Sequence, residues 1–250
     1  MLNRRLLIAL ASVGVIGLAA PAQAWSWGFK EQVKASGEIV SESRDLGAFD
    51  ALSLAGSYKV VVRQGATVKL ELKADKNFLP LIETRVVEGS KGRTLEVSTK
   101  KGFSFSSKND PQITLVLPQL RAVAIAGSGD VRVETMKTPA VNVSVSGSGD
   151  IEFVDLSSDS LSVQVSGSGD IKASGRTGKF SLSVAGSGDI DARGLQADEV
   201  KASIAGSGNA TVHAVKTLKV SIAGSGEVAY LGSPELSSSV AGHGTITKLN

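Results

Sequence analysis

Four aspartates at near-constant spacing, Asp130, Asp150, Asp170 and Asp189, are the residues of this 250-residue chain whose type and placement come closest to a chemistry. Each closes the same phrase: Ala126-Gly127-Ser128-Gly129-Asp130, Ser146-Gly147-Ser148-Gly149-Asp150, Ser166-Gly167-Ser168-Gly169-Asp170 and Ala185-Gly186-Ser187-Gly188-Asp189. Asn209, Glu227 and Thr245 hold the same place in three further copies. Carboxylates stacked on a short period are what a row of oxygen-ligated cations requires, so a calcium ladder is one reading. One acid per repeat is sparse for that purpose, and Asn209 and Thr245 are poor ligand replacements. The other reading is a structural corner, in which paired glycines take backbone angles closed to other residues while Asp or Asn caps nearby N–H groups.

Catalysis has less to stand on. A polysaccharide-cleaving enzyme needs acids, bases or arginines grouped in a groove, usually beside aromatic platforms. Here the acids belong mainly to the repeat, and the two histidines, His213 and His243, have no third partner at a spacing that would make a metal site. The chain has no cysteine, which excludes a thiol nucleophile, a disulfide framework and a lipoprotein attachment site. A non-catalytic protein without a cofactor is expected, with calcium as the one alternative ligand. A second candidate surface is the row Ser144, Gln164, Ser183, Ser203, Ser221 and Ser239, beside the corner serines Ser128, Ser148, Ser168, Ser187, Ser207 and Ser225. Flat rows of small hydroxyls suit a glycan, a cell-surface component or another copy of the chain, or are simply a solvated outer face.

These residues are positioned by a period. The first glycines, Gly127, Gly147, Gly167, Gly186, Gly206, Gly224 and Gly242, recur about every 18 to 20 residues, each followed two residues on by Gly129, Gly149, Gly169, Gly188, Gly208, Gly226 or Gly244. Before each pair, apolar and small polar residues alternate, as in Val141-Asn142-Val143-Ser144-Val145 and Leu161-Ser162-Val163-Gln164-Val165, which is a strand with one buried face. After the phrase comes a shorter apolar pair, such as Ile151 and Phe153 or Ile171 and Ala173. One repeat cannot bury its own apolar side, so the repeats stack. The expected inner columns are Ile125, Val145, Val165, Val184, Ile204, Ile222, Val240 and Val131, Ile151, Ile171, Ile190, Ala210, Val228, Ile246. The fold class is therefore all-β, a parallel β-helix with rungs of about 18–20 residues. A sandwich of hairpins would show varied turns at shorter intervals.

The chain opens with Arg4-Arg5, an apolar run from Leu6 to Ala20 and the small-x-small site Ala22-Gln23-Ala24, so residues 1–24 read as a secretory signal peptide. About 15 apolar residues fall short of a membrane span, and none is expected after cleavage. Removing Arg4 and Arg5 leaves 25 basic residues (27 less 2) against 24 acidic, a net +1 in place of +3. The bases are scattered, so a nucleic-acid partner is not expected. Residues 25–43 form an aromatic and polar lead-in. Trp25 and Trp27 suit a cover for the open end of the stack or an interfacial anchor, and Lys30 to Ser43 reads as a loop. Residues 44–120 are atypical N-terminal rungs, with Lys100 to Pro111 as a protruding hairpin or loop, and 121–250 are the regular rungs. Around Thr245-Ile246-Thr247-Lys248, a parallel edge without a capping helix makes self-association plausible.

The opening Phe49-Asp50-Ala51-Leu52-Ser53-Leu54, the Gly65 after Arg63-Gln64, the strand Leu95-Glu96-Val97, the turn Leu117-Pro118-Gln119-Leu120 and the phrase ending at Asp130 carry a resemblance. In this order they look like the bacterial auto-transporter adhesin head family, or GIN domain, a domain of unknown function, over Leu46 to the C-terminus. The resemblance implies a right-handed parallel β-helix in an exported protein of the periplasm, outer-membrane surface or medium. It brings no catalytic or binding residues. The function expected is a cell-envelope or surface role, adhesive or glycan-binding.

Overall fold

Two faces of the molecule are built by the same alternation of apolar and polar residues, one on each side of the glycine corner. The computed structural model describes residues 30–89, 92–107 and 110–250, so the signal-peptide and Trp25/Trp27 expectations lie outside the described residues. On the first face, strands Ala51–Ala55, Ala122–Gly127 and Ala140–Gly147 run parallel to the second halves of Ile151–Gly167, Ile171–Gly186, Ile190–Gly206 and Asn209–Gly224, and then to Glu235–Gly242. On the second face, Lys59–Gln64 and Asp130–Lys137 are followed by the first halves of the long strands, then by Glu227–Leu231 and Thr245–Lys248. The result is a parallel β-solenoid of about six turns.

Both expected inner columns form in register. Ile125, Val145, Val165, Val184, Ile204, Ile222 and Val240 are successive partners, as are Val131, Ile151, Ile171, Ile190, Ala210, Val228 and Ile246. Leu156 and Leu195, from the second bend, are fully buried between them. Parallel strands expose one face to the core, and the β-branched columns fill it.

The N-terminal end is closed differently. Gly92–Thr99 continues the first face in parallel with Ala51–Ala55, but Ile82–Gly89 then pairs with it antiparallel. On the second face, Gln112–Leu117 is parallel to Lys59–Gln64, and Lys69–Asp75 and Ile39–Ser43 are added antiparallel beyond it. The segment from Lys30 to Ser43 is not the expected loop: it holds strands Glu31–Lys34 and Ile39–Ser43. Both are edge strands with mostly exposed side chains, so they lack the apolar alternation by which a strand is recognised. Nor does Lys100 to Pro111 simply protrude, because Phe103–Ser106 pairs in parallel with Glu31–Lys34. The Phe105 ring stacks on Phe78 at 4.4 Å between centroids and meets Tyr58 edge-on at 6.4 Å. These rings close the end of the core, and burial there raises the Tyr58 pKa, against the lowering effect of its hydrogen bond with Thr99.

The corner constrains the coil most. Gly167 has φ +133°, and a Cβ on it would run into the carbonyl of Gly147 in the rung before. Gly37 also has a positive φ, +82°, but nothing lies within 4 Å of its Cβ position. Gly167→Ala is therefore expected to lose about 3 kcal/mol in urea unfolding, and Gly37→Ala about 1 kcal/mol, the difference being the backbone collision.

Candidate functional site

The first corner is held by main-chain bonds between rungs. The amide of Ser148 donates to the Gly127 carbonyl at 2.9 Å, Ser168 to Gly147 at 2.9 Å, Ser187 to Gly167 at 2.9 Å and Ser207 to Gly186 at 3.0 Å. His243 takes the serine place and donates to Gly224 at 2.8 Å. The second glycines pack backbone to backbone: a Cβ on Gly149 would meet Ile125 and the Gly129 carbonyl.

The aspartates form one exposed column just beyond this corner. The Asp170 amide donates to Asp150 Oδ1 at 2.9 Å, the Asp189 amide to Asp170 Oδ1 at 3.0 Å, and the Asn209 amide to Asp189 Oδ1 at 3.0 Å. Asn209 then accepts the Glu227 amide on its own Oδ1 at 3.2 Å and donates Nδ2 to Asp189. Each acid thus clamps the backbone of the rung that follows. Asn serves equally, because only an sp² oxygen is needed. Asp130 stands at the head of the column, its own amide directed to the Tyr58 carbonyl at 2.8 Å. Its carboxyl titrates above the ordinary range, chiefly through burial and then through Asp150, with Lys59 opposing. A groove of about 410 Å³ runs beside the column, lined by Lys59, Arg132, Glu152 and Lys172 among others. Among the described residues, no group of three or more acidic or histidine side chains is placed to hold a metal ion.

The two faces differ in charge. On the first, Ala124, Ser144, Gln164, Ser183, Ser203, Ser221 and Ser239 are successive partners in one outward column. Ala126, Ser146, Ser166, Ala185, Ala205, Ala223 and Ala241 form the next, and the corner serines a third. These columns hold no Asp, Glu, Lys or Arg; Lys201 and Lys219 enter in the next column away from the corner, and Lys179 and Glu199 in the one beyond it. Six steps of roughly 4.8 Å make this apron about 29 Å long. On the second face, Arg132, Glu152, Lys172 and Asp191 alternate in sign down one column, with Arg132 and Glu152 ion-paired. Alternation removes the like-charge repulsion that stacking would impose.

Two features of the second bend were not legible as sites. Gln64 uses its whole amide group there: Nε2 donates to the carbonyls of Pro118 at 2.8 Å and Lys137 at 2.9 Å, and Oε1 accepts the Lys137 amide at 2.9 Å. A shallow groove of about 460 Å³ gathers Asp155, Arg176, Arg193, Gln196 and the half-buried His213. It forms where register shifts interrupt the ladders after Phe153, Lys172 and Ala192. Among the described residues, no helix is long and apolar enough to cross a membrane.

The family model described as putative auto-transporter adhesin, head GIN domain, matches residues 48–234. The chain belongs to this family. The GIN-domain fold recurs in solved structures. A putative adhesin from Bacteroides fragilis is 26% identical, with a TM-score of 0.79, 87% of this chain and 100% of that one being covered. A putative lipid binding protein from Parabacteroides distasonis is 26% identical, with a TM-score of 0.73 and 88% and 100% covered. A putative adhesin from Parabacteroides merdae, 22% identical with a TM-score of 0.70 over 88% and 100%, shares the fold. No curated protein matches the chain in sequence.

Three substitutions separate the roles of the column. Asp170→Ala removes the acceptor for the Asp189 amide and is expected to cost about 1 kcal/mol in chemical unfolding, whereas Asp170→Asn keeps it and is expected to be near neutral. At Asp130 the folded state favours the protonated form, so this group's contribution falls as pH rises from the ordinary value of 3.8. Asp130→Asn should therefore melt slightly higher than wild type at neutral pH, and the gap should close in acid.

Proposed function

We propose that this protein is an exported, non-catalytic surface protein that holds a repetitive polar polymer, a cell-surface glycan, along its first face. The observation that carries the reading is the apron of small, uncharged side chains from Ala124 to Ser239, without a bulky group to keep a flat chain of sugars at a distance. Backbone flatness comes from the stacked strands, and the hydroxyls repeat along the stack at the strand spacing. The adhesin names of the family and of its structural relatives support a surface role. The apolar start and small-x-small site of residues 1–24 support export.

One relative is named a putative lipid binding protein, which makes a membrane surface the reading to compare. The apron has no large apolar side chain to enter an acyl layer, and the exposed Val154 and Val215 lie outside its columns. A polar chain fits it better.

The described protein should be retained on a carbohydrate array. Changing Ser183, Ser203 and Ser221 together to lysine should abolish retention, while Lys172→Ser on the second face should leave it intact. Absence of retention, or retention indifferent to the three lysines, would remove the glycan reading.

A further inference from the structure

The strand Glu235–Gly242 is bonded on one side only. Its sole partner among the described residues is Asn209–Gly224, which it follows in parallel register from Thr217↔Glu235 to Gly224↔Gly242. Thr245–Lys248 is likewise paired only with Glu227–Leu231. Core columns therefore reach solvent: Leu236 is 41% and Val240 43% exposed, although Leu218 and Ile222, their partners one rung back, are buried. At the opposite end Ile82–Gly89, Ile39–Ser43 and the Phe78–Phe105 stack lie over the core and keep Phe78 and Ile82 buried, although each of the two strands has a single partner among the described residues.

Backbone directions at this edge are fixed by the ladder. On the first face the outward residues bond backward, as Asn142 does to Arg121 at 2.9 Å and Ser148 to Gly127. The inward parity bonds forward, as Gly56 does to Ala126 at 3.0 Å. In Glu235–Gly242 the forward residues are Leu236, Ser238 and Val240, so their N–H and C=O groups point off the open edge. Buried without partners, such groups would be costly, and exposed they are a template for another strand.

We infer that a second copy of this chain fills this edge, two Glu235–Gly242 strands pairing antiparallel about a twofold axis at Ser238. Paired antiparallel about its own midpoint, the strand is its own complement, so the contact is isologous and closes as a dimer. The register follows from the side chains. With Ser238 opposite Ser238, Leu236 of one copy faces Val240 of its partner on the core side, hydroxyl meets hydroxyl at the centre, and Glu235 faces Ala241. The forward N–H and C=O groups of Leu236, Ser238 and Val240 all find partners. A shift by one residue sets each forward N–H and C=O opposite a residue whose own groups point back into its rung, and no ladder forms. The next register in either direction opposes Leu236 or Val240 to Ser238, and in one of them brings Val240 against Pro234, which has no N–H to give.

The chain has no cysteine, so crosslinking can read this register. Ser237 of one copy faces Ser239 of the other in a non-hydrogen-bonded pair, with Cα atoms about 4.5 Å apart, whereas two Ser237 residues stand roughly 8 Å apart. An equimolar mixture of Ser237→Cys and Ser239→Cys should give a disulfide dimer under mild oxidation, and neither variant alone should. Sedimentation of the unmodified protein over a wide concentration series should show a monomer–dimer equilibrium that Val240→Lys shifts to monomer with the melting temperature retained. Crosslinking of either variant alone to the same yield, no crosslink in the mixture, or a monomer at every concentration would overturn the proposal.

Discussion

Backbone contact between successive first corners governs this molecule. The carbonyl of one first glycine receives the following rung's serine amide and leaves no room for a Cβ on the glycine stacked upon it. With no side chain interposed, strands approach to ladder distance on both sides of the bend, and the apolar columns fall into line behind it. Everything outward inherits that alignment: the uncharged apron of the first face, the alternating charges of the second and the file of acids between them.

The acids of the repeat act as clamps between rungs. Four carboxylates in a row suggest cations when only spacing is seen. In the fold, Oδ1 of Asp150, Asp170 and Asp189 each accepts the amide of the next rung, and Asn209 continues the chain with a neutral oxygen. Asp130 is where the arrangement is least comfortable, since it is partly desolvated and has another acid as its neighbour.

Much of this was legible because the repeat speaks twice, once through its glycines and once through the alternation on either side. The sequence alone places Val145, Val165 and Val184 in one column, since identical corners leave one way to superimpose them. The N-terminal third was harder. Lys69–Asp75 alternates like any rung strand yet runs antiparallel to Gln112–Leu117, a choice set by long-range closure and not by local pattern. Ile39–Ser43 lies at an edge and exposes most of its side chains, and Gln64 gives no periodic signal because it acts once.

Rung length varies between about 18 and 20 residues, yet the glycine corners stay in strict register, so the variation must be taken up elsewhere. It is taken up at the second bend, where Asn209–Gly224 passes directly from Val212 to His213 while the preceding rung inserts Arg193, Gly194 and Leu195 between the matching residues. That bend acts as an expansion joint. Extra chain could be grafted there, or a whole turn copied in, without disturbing the alignment of either face.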